Sequence, residues 1–198
     1  MLAALSGGRI RDAQVGTANY TAVFDRVMAS GGRGDVRASF LNGSVRDFYD
    51  PYRNMIVAQD PATLDGAGRF LVPFMLTHSG IKPLTSVGMS RRDVDFYDAM
   101  RSSDAVVVLG YGFNGDEGHI NGMFHAVAED ARKPIFACPY APGGAGGVDL
   151  AQAARDHDRK MRLDRTDNLK NLPVDGDRRV ATGGIWVDKV AASVGIST

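Results

Sequence analysis

Ala105-Val106-Val107-Val108-Leu109-Gly110-Tyr111-Gly112-Phe113-Asn114-Gly115 is the stretch that decides the fold. Its first five residues are all apolar, three are β-branched, and no polar residue alternates with them. A central parallel strand buried on both faces has that pattern, whereas a half-buried strand alternates. Gly110 ends the run. From about Glu117 to Ala131 the apolar residues Ile120, Phe124, Val127 and Ala131 recur on one face of a helix. Ile135-Phe136-Ala137-Cys138 is a second unalternated run. Ala105 to Cys138 thus forms a strand–helix–strand unit of 34 residues, the size of a crossover between parallel neighbours.

Working outward, Asp149 to Leu163 reads as an amphipathic helix with Leu150, Ala153, Ala154 and Met161 inward, after a glycine loop at Pro142 to Gly147. Beyond Asp164 the chain is polar, and only Gly184 to Val194, with Trp186 and Val190, looks able to dock. Upstream, Arg91 to Arg101 has a helical stripe of Val94, Tyr97 and Met100, with Ser90 as N-cap. Phe70 to Leu76 is apolar but holds Pro73, which marks a loop or an edge strand. Met55 to Ala58 is a short apolar run closed by Asp60-Pro61. Val36 to Leu41 alternates like a strand and runs into an Asn42-Gly43 turn. Tyr20 to Ala29 reads as a helix ended by Ser30-Gly31-Gly32, and Ala13 to Thr17 as a short strand. These elements make an α/β chain of short strands alternating with helices. Residues 1–163 are expected as one domain and 164–198 as a polar tail with a short docking helix.

Composition bounds the function. The 198 residues carry 23 Lys+Arg and 23 Asp+Glu, for a net charge of zero. That argues against a nucleic-acid partner held by bulk charge. Cys138 is the only cysteine, so an internal disulfide, a zinc ribbon and a Cys-x-x-Cys pair are excluded. Its place in an apolar run predicts a buried thiol. No run of 18 consecutive apolar residues spans a membrane, and Met1 to Arg11 lacks the apolar core of a secretory signal. A soluble cytoplasmic protein is expected. The 24 glycines, about 12% against a usual 7% or so, cluster in turns or where backbone must approach something closely.

Gly110, Gly112 and Gly115 match G-x-G-x-x-G between a strand and a helix. Free N–H groups and the dipole at such a helix start favour an anion. Asp116 and Glu117, however, occupy the first turn and would repel a phosphate, and the next strand ends in Cys138-Pro139-Tyr140 without the acid that holds a ribose. The plain alternative is a strand-to-helix turn whose acids complement the helix dipole. His119 and His125 are about 240° apart around a helix and do not face one another, so no metal site is expected. His78 and His157 have no obvious partners. There is no serine-nucleophile elbow and no Walker loop.

Val107 to Asn114, continued through His119-Ile120-Asn121, resembles the pattern of the bacterial sirtuin-like proteins: an apolar strand, Gly-Tyr-small-Phe, an acidic residue, then His-Ile-Asn. Thr17-Ala18-Asn19-Tyr20-Thr21 with Phe24-Asp25 resembles their Thr-x-Asn-Tyr-Asp segment. Phe74 to Leu84, with Ser79-Gly80-Ile81-Lys82-Pro83-Leu84, resembles the segment before their glycine strand. Together these pieces span about residues 13–140. The resemblance implies a Rossmann-like domain that binds or hydrolyses NAD, with NAD or ADP-ribose as ligand and no metal. It places Asn19 at the nicotinamide ribose in a catalytic role. Tyr20, Gly110, Tyr111, Gly112, Phe113, Asn114, His119 and Asn121 would line the nucleotide.

Three departures qualify what the resemblance implies. The family opens on a strand and a Gly-Ala-Gly-type phosphate loop for which this chain starts too late, Ser6-Gly7-Gly8 being a poor substitute. The expected parallel sheet would therefore lack its first strand, and the exposed edge would favour a homo-oligomer or a rearranged N-terminus. The family's His-Gly-Ser turn, whose His is the general base, reads Leu41-Asn42-Gly43-Ser44 here. Asn42 cannot accept a proton near neutral pH. The four-cysteine zinc module of the deacylases is absent. The sequence thus leads to a nucleotide-binding module with impaired or absent NAD hydrolysis. An active NAD glycohydrolase of a defence-type system and a non-enzymatic assembly or partner-binding remnant stay open beside it.

Overall fold

The computed structural model describes residues 13–31, 36, 38–66, 68, 70–76, 86–130, 132–140, 150–163, 167–175, 180, 184 and 186–193. It is mixed α/β, with five α-helices, two parallel sheets and one antiparallel sheet among these residues. The chain divides into two compact units, Met1–Ala99 and Met100–Thr198. Among the described residues no helix is long and apolar enough to cross a membrane. Ser6-Gly7-Gly8, His78, residues 79–84, Ala131 and the loop 142–147 lie outside the described residues.

In the first unit β1 (Val15–Thr17) and β2 (Ala38–Phe40) pair in parallel, with Thr17 opposite Phe40. Helix α1 (Val23–Ser30) connects them. Its inner residue Met28 packs with Val36, and Ala13, Val15 and Phe24 surround that pair. β3 (Gly43–Asp50) then pairs antiparallel with both β4 (Met55–Ala58) and β5 (Val72–Met75), in the order β4-β3-β5. Pro73 sits on the edge strand β5, the place in a sheet where proline is tolerated. This antiparallel sheet departs from the single parallel sheet expected. Its middle strand escaped the reading because it is polar: Asp47 and Asp50 are buried with Phe48 between them. Asp50 Oδ1 accepts from the backbone N–H of Tyr52 and Arg53, which shapes the β3–β4 turn.

Helix α2 (Val87–Ser102) begins a turn earlier than expected. Ser86, not Ser90, caps it: Ser86 Oγ accepts from Met89 N at 3.2 Å. Its buried face carries Met89, Asp93 and Met100, whereas Val94 is exposed. Arg92 donates through Nη1 to Phe40 O and to Asp47 Oδ2, both at 2.8 Å. The Phe96 ring lies where a Cβ on Gly16 would stand, so β1 approaches the helix at a residue without a side chain.

The second unit holds β6 (Val106–Leu109), α3 (Gly118–Ala128), β7 (Ile135–Cys138), α4 (Leu150–Met161), β8 (Leu169–Asn171) and α5 (Trp186–Ser193). β6 and β7 are parallel neighbours from Val106↔Ile135 to Leu109↔Cys138, joined through α3, as the two apolar runs required. Ile120, Phe124 and Val127 of that helix are buried. The sheet order is β6-β7-β8, however, so the middle strand among the described residues is β7. All four of its residues are buried, and Leu109 at the end of β6 is 39% exposed. An unalternated β-branched run marks a parallel strand but does not fix its place in the sheet. β8 was not anticipated: a short Leu-Lys-Asn strand in a polar stretch pairs in parallel with β7. Trp186, Val187 and Ala191 of α5 are buried.

Candidate functional site

In each unit, loops that follow the C-terminal ends of parallel strands carry the candidate residues. In the first unit, the loops after β1 and β2 are tied together by hydrogen bonds. Leu41 N donates to Thr17 O at 3.0 Å, and Val45 N donates to Tyr20 O at 3.0 Å. Asn42 is fully buried. Its Nδ2 donates to Ala18 O at 3.2 Å, and its backbone carbonyl accepts from Leu76 N at 2.7 Å. Gly43 has φ of +79°, and a Cβ there would come within 2.4 Å of Phe74 O, so both the backbone conformation and the close approach require glycine. The Tyr20 hydroxyl donates to Leu76 O at 2.7 Å. Asn19 is exposed at the tip of its loop, its backbone N–H bonded to Thr17 Oγ1 at 3.1 Å. Asn19 and Asn42 therefore occupy equivalent places, two residues beyond the ends of adjacent parallel strands, where open α/β sheets bind ligands.

In the second unit the turn after β6 is built on two residues in the left-handed region, Gly110 with φ of +63° and Phe113 with φ of +50°. Among the described residues, beyond its chain neighbours, no atom lies within 4 Å of where a Cβ on Gly110 would be. Phe113 holds an unfavourable conformation, costing about 1–2 kcal/mol for a residue with a Cβ, because its ring is buried in an aromatic cluster. It meets Tyr111 at 4.8 Å, Phe124 at 4.9 Å and His157 at 5.4 Å, all edge to face. Such contacts contribute about 0.5–1.5 kcal/mol each beyond burial. The Tyr111 hydroxyl donates to Asn121 Oδ1 at 2.9 Å, and Asn121 Nδ2 donates to Asn114 O at 2.9 Å. One side chain on α3 thus fixes both ends of the Tyr111–Asn114 segment. Burial raises the Tyr111 hydroxyl's pKa well above its ordinary value, and the carboxylates of Glu117 and Asp116 raise it further. Glu117 stands at the N-cap position of α3 without a side-chain cap bond. His119 is half-buried on the first turn of that helix, and Asn114 is exposed.

No family model, curated protein or solved structure matches this chain.

The candidate residues fall into two local groups. Asn19, Tyr20 and Asn42 share one; Gly110, Tyr111, Gly112, Phe113, Asn114, His119 and Asn121 share the other. His157 corrects the reading of a histidine without partners on a charged helix. It is buried, its Nε2 donates to Tyr111 O at 3.2 Å, and its ring edge meets Phe113. Burial lowers its pKa, outweighing that hydrogen bond and the nearby Asp158 carboxylate. The signal was present in the sequence: His157 lies three residues after Ala154 and four before Met161, on the inner stripe of α4. His125 Nε2 donates to Met161 O at 2.6 Å. Among the described residues no group of His, Cys, Asp or Glu could hold a metal ion. The Cys138 thiol is buried, which pushes its pKa up to about 12, so it is a packing residue rather than a nucleophile.

Proposed function

We propose that the chain is a Rossmann-like, sirtuin-like module that takes a nucleotide, NAD or ADP-ribose, and hydrolyses NAD poorly or not at all. The observation that carries the reading is the state of Asn42. It stands beside the Asn19 loop at the end of a parallel strand, the place that the resemblance gives to a general base. Its amide is committed to the Ala18 carbonyl and offers no basic lone pair. Losing a general base costs about 10²–10⁴ in rate. Asn19, exposed on the neighbouring loop, is left to hydrogen-bond a ribose. In the second unit, the space at Gly110 and the rigid Tyr111–Asn114 segment suit backbone contact with a ligand.

The test is a pair of measurements on the purified chain. A thermal-shift scan against NAD, ADP-ribose and nicotinamide is expected to show stabilisation by at least one of the two nucleotides. Nicotinamide release from NAD at high protein concentration is expected to stay near background. Robust turnover that vanishes in Asn19→Ala would replace this reading with an active hydrolase. Absence of any shift would leave a non-enzymatic role.

A further inference from the structure

Asp93 lies on the inner face of α2, 7% exposed, and among the described residues no donor reaches either of its carboxylate oxygens. Its neighbours on the helix fix its place. Arg92 reaches the carbonyl of Phe40, the last residue of β2. Phe96, one turn on, lies over Gly16 in the middle of β1. α2 therefore runs counter to these strands, and Asp93, on its buried face between these two contacts, belongs to the turn of α2 that meets their C-terminal half. Burial of the carboxylate raises its pKa to about 6, and the nearby Arg92 cation only partly opposes this.

A carboxylate has roughly four acceptor sites, and leaving them unmet in a buried position is costly. Asp93 takes no part in the adjacent ion pair of this helix, which Arg92 makes with Asp47. Among the described residues, it belongs to no group of three or more His, Cys, Asp or Glu side chains that could hold a metal ion. What the position lacks is hydrogen-bond donors. We propose that Asp93 is the buried acceptor of a ligand site at the ends of β1 and β2, receiving the paired hydroxyls of a ribose. This rests on the nucleotide reading given above, and it adds a specificity residue that the resemblance does not supply.

The experiment compares ADP-ribose with ADP, which lacks the terminal ribose, on the full chain and on Asp93→Asn. Calorimetry at neutral pH is expected to show ADP-ribose binding at least tenfold more tightly than ADP to the wild type. Asp93→Asn should weaken ADP-ribose by about ten- to a hundredfold, the range for hydrogen bonds to a charged group, and leave ADP unchanged. Binding of ADP-ribose to the wild type near pH 5.5 should release protons, because hydroxyl donors favour the ionised carboxylate. ADP-ribose itself has no group that titrates there, and Asp93→Asn should release none. Equal ADP-ribose affinity in both proteins, or no proton release by the wild type, would overturn the role of Asp93 while the nucleotide reading stands. Binding of neither ligand to either protein would overturn both.

Discussion

Asn42 Nδ2 donates to the carbonyl of Ala18 at 3.2 Å, joining the loops that leave two adjacent parallel strands. The position is closed to solvent, so substitutions there act on the fold before they act on chemistry. Asn42→Ala leaves the Ala18 carbonyl without its donor and should cost about 1–3 kcal/mol. Asn42→His adds volume to a filled site and should cost a similar 1–3 kcal/mol, without a gain in NAD hydrolysis. Urea denaturation and nicotinamide release check the two halves separately. A stable Asn42→His variant with restored turnover would show that the position was waiting for its base.

Arg92 and Asp47 form the second fixed point of this unit. The carboxylate is 7% exposed and the guanidinium only 24%. Arg92→Met strands that carboxylate and should destabilise by roughly 3 kcal/mol. Adding Asp47→Leu should recover part of the loss, since two apolar groups replace two charges. Recovery should stay incomplete because Arg92 also serves the Phe40 carbonyl. A double variant no more stable than Arg92→Met, by equilibrium denaturation, would contradict this account.

Which parts of this architecture were legible follows from where the side chains carry a period. β6, α3 and β7 were readable because unalternated apolar runs flank a helical stripe, and the structure pairs them in parallel. β3 was not, because its burial is of Asp47 and Asp50, which a hydropathy pattern scores as surface. Their partners, Arg92 and the turn N–H groups of Tyr52 and Arg53, are chosen by tertiary contact. The cap of α2 was displaced from Ser90 to Ser86 because both serines precede a plausible stripe and only packing decides between Met89 and Val94. Near the Gly110 turn, Tyr111 and Asn121 were named from the motif, but their mutual hydrogen bond needed coordinates. His157 was visible on the α4 stripe and was missed because its neighbours in sequence are charged.

Asp93 makes stability depend on pH in a definite direction. Its pKa is raised from 3.8 to about 6 by burial. Between those values the folded state holds the proton that the unfolded chain has lost. Its contribution is therefore largest at low pH and fades as pH rises through about 6. The whole window corresponds to on the order of 3 kcal/mol. Asp93→Asn should remove this dependence and be more stable than the wild type at neutral pH. Denaturation midpoints of both proteins between acid and neutral pH measure it, and parallel curves would sink it.

The Tyr111–Asn121 contact gives a double-mutant cycle. Tyr111→Phe removes one hydrogen bond and should cost about 1 kcal/mol. Asn121→Ala removes the partners of both Tyr111 and Asn114 and should cost more, about 1–3 kcal/mol. The two changes should be sub-additive, with a coupling energy of about 1 kcal/mol. Strict additivity would mean that the 2.9 Å contact contributes nothing to the stability of the turn.

Gly110 and Gly115 lie in the same turn, and among the described residues, chain neighbours aside, nothing stands within 4 Å of a Cβ built on either. They differ in backbone conformation: Gly110 has φ of +63°, and Gly115 is not in the left-handed region. An added methyl therefore meets no atom of the described residues at either position, and the strain of a left-handed residue distinguishes them. Gly110→Ala should cost about 1–2 kcal/mol, a fall in Tm of roughly 2–4 °C per kcal/mol for a chain of this size. Gly115→Ala should stay within about 0.5 kcal/mol of the wild type. Under the nucleotide reading, the free space at Gly110 is where a ligand meets the backbone. ADP-ribose should then stabilise Gly110→Ala less than it stabilises the wild type, and Gly115→Ala as much. Thermal melts with and without ADP-ribose separate the two effects. Equal melting temperatures of the two variants would refute the strained turn. A full ligand-induced shift in Gly110→Ala would remove Gly110 from the binding surface while leaving its conformational role intact.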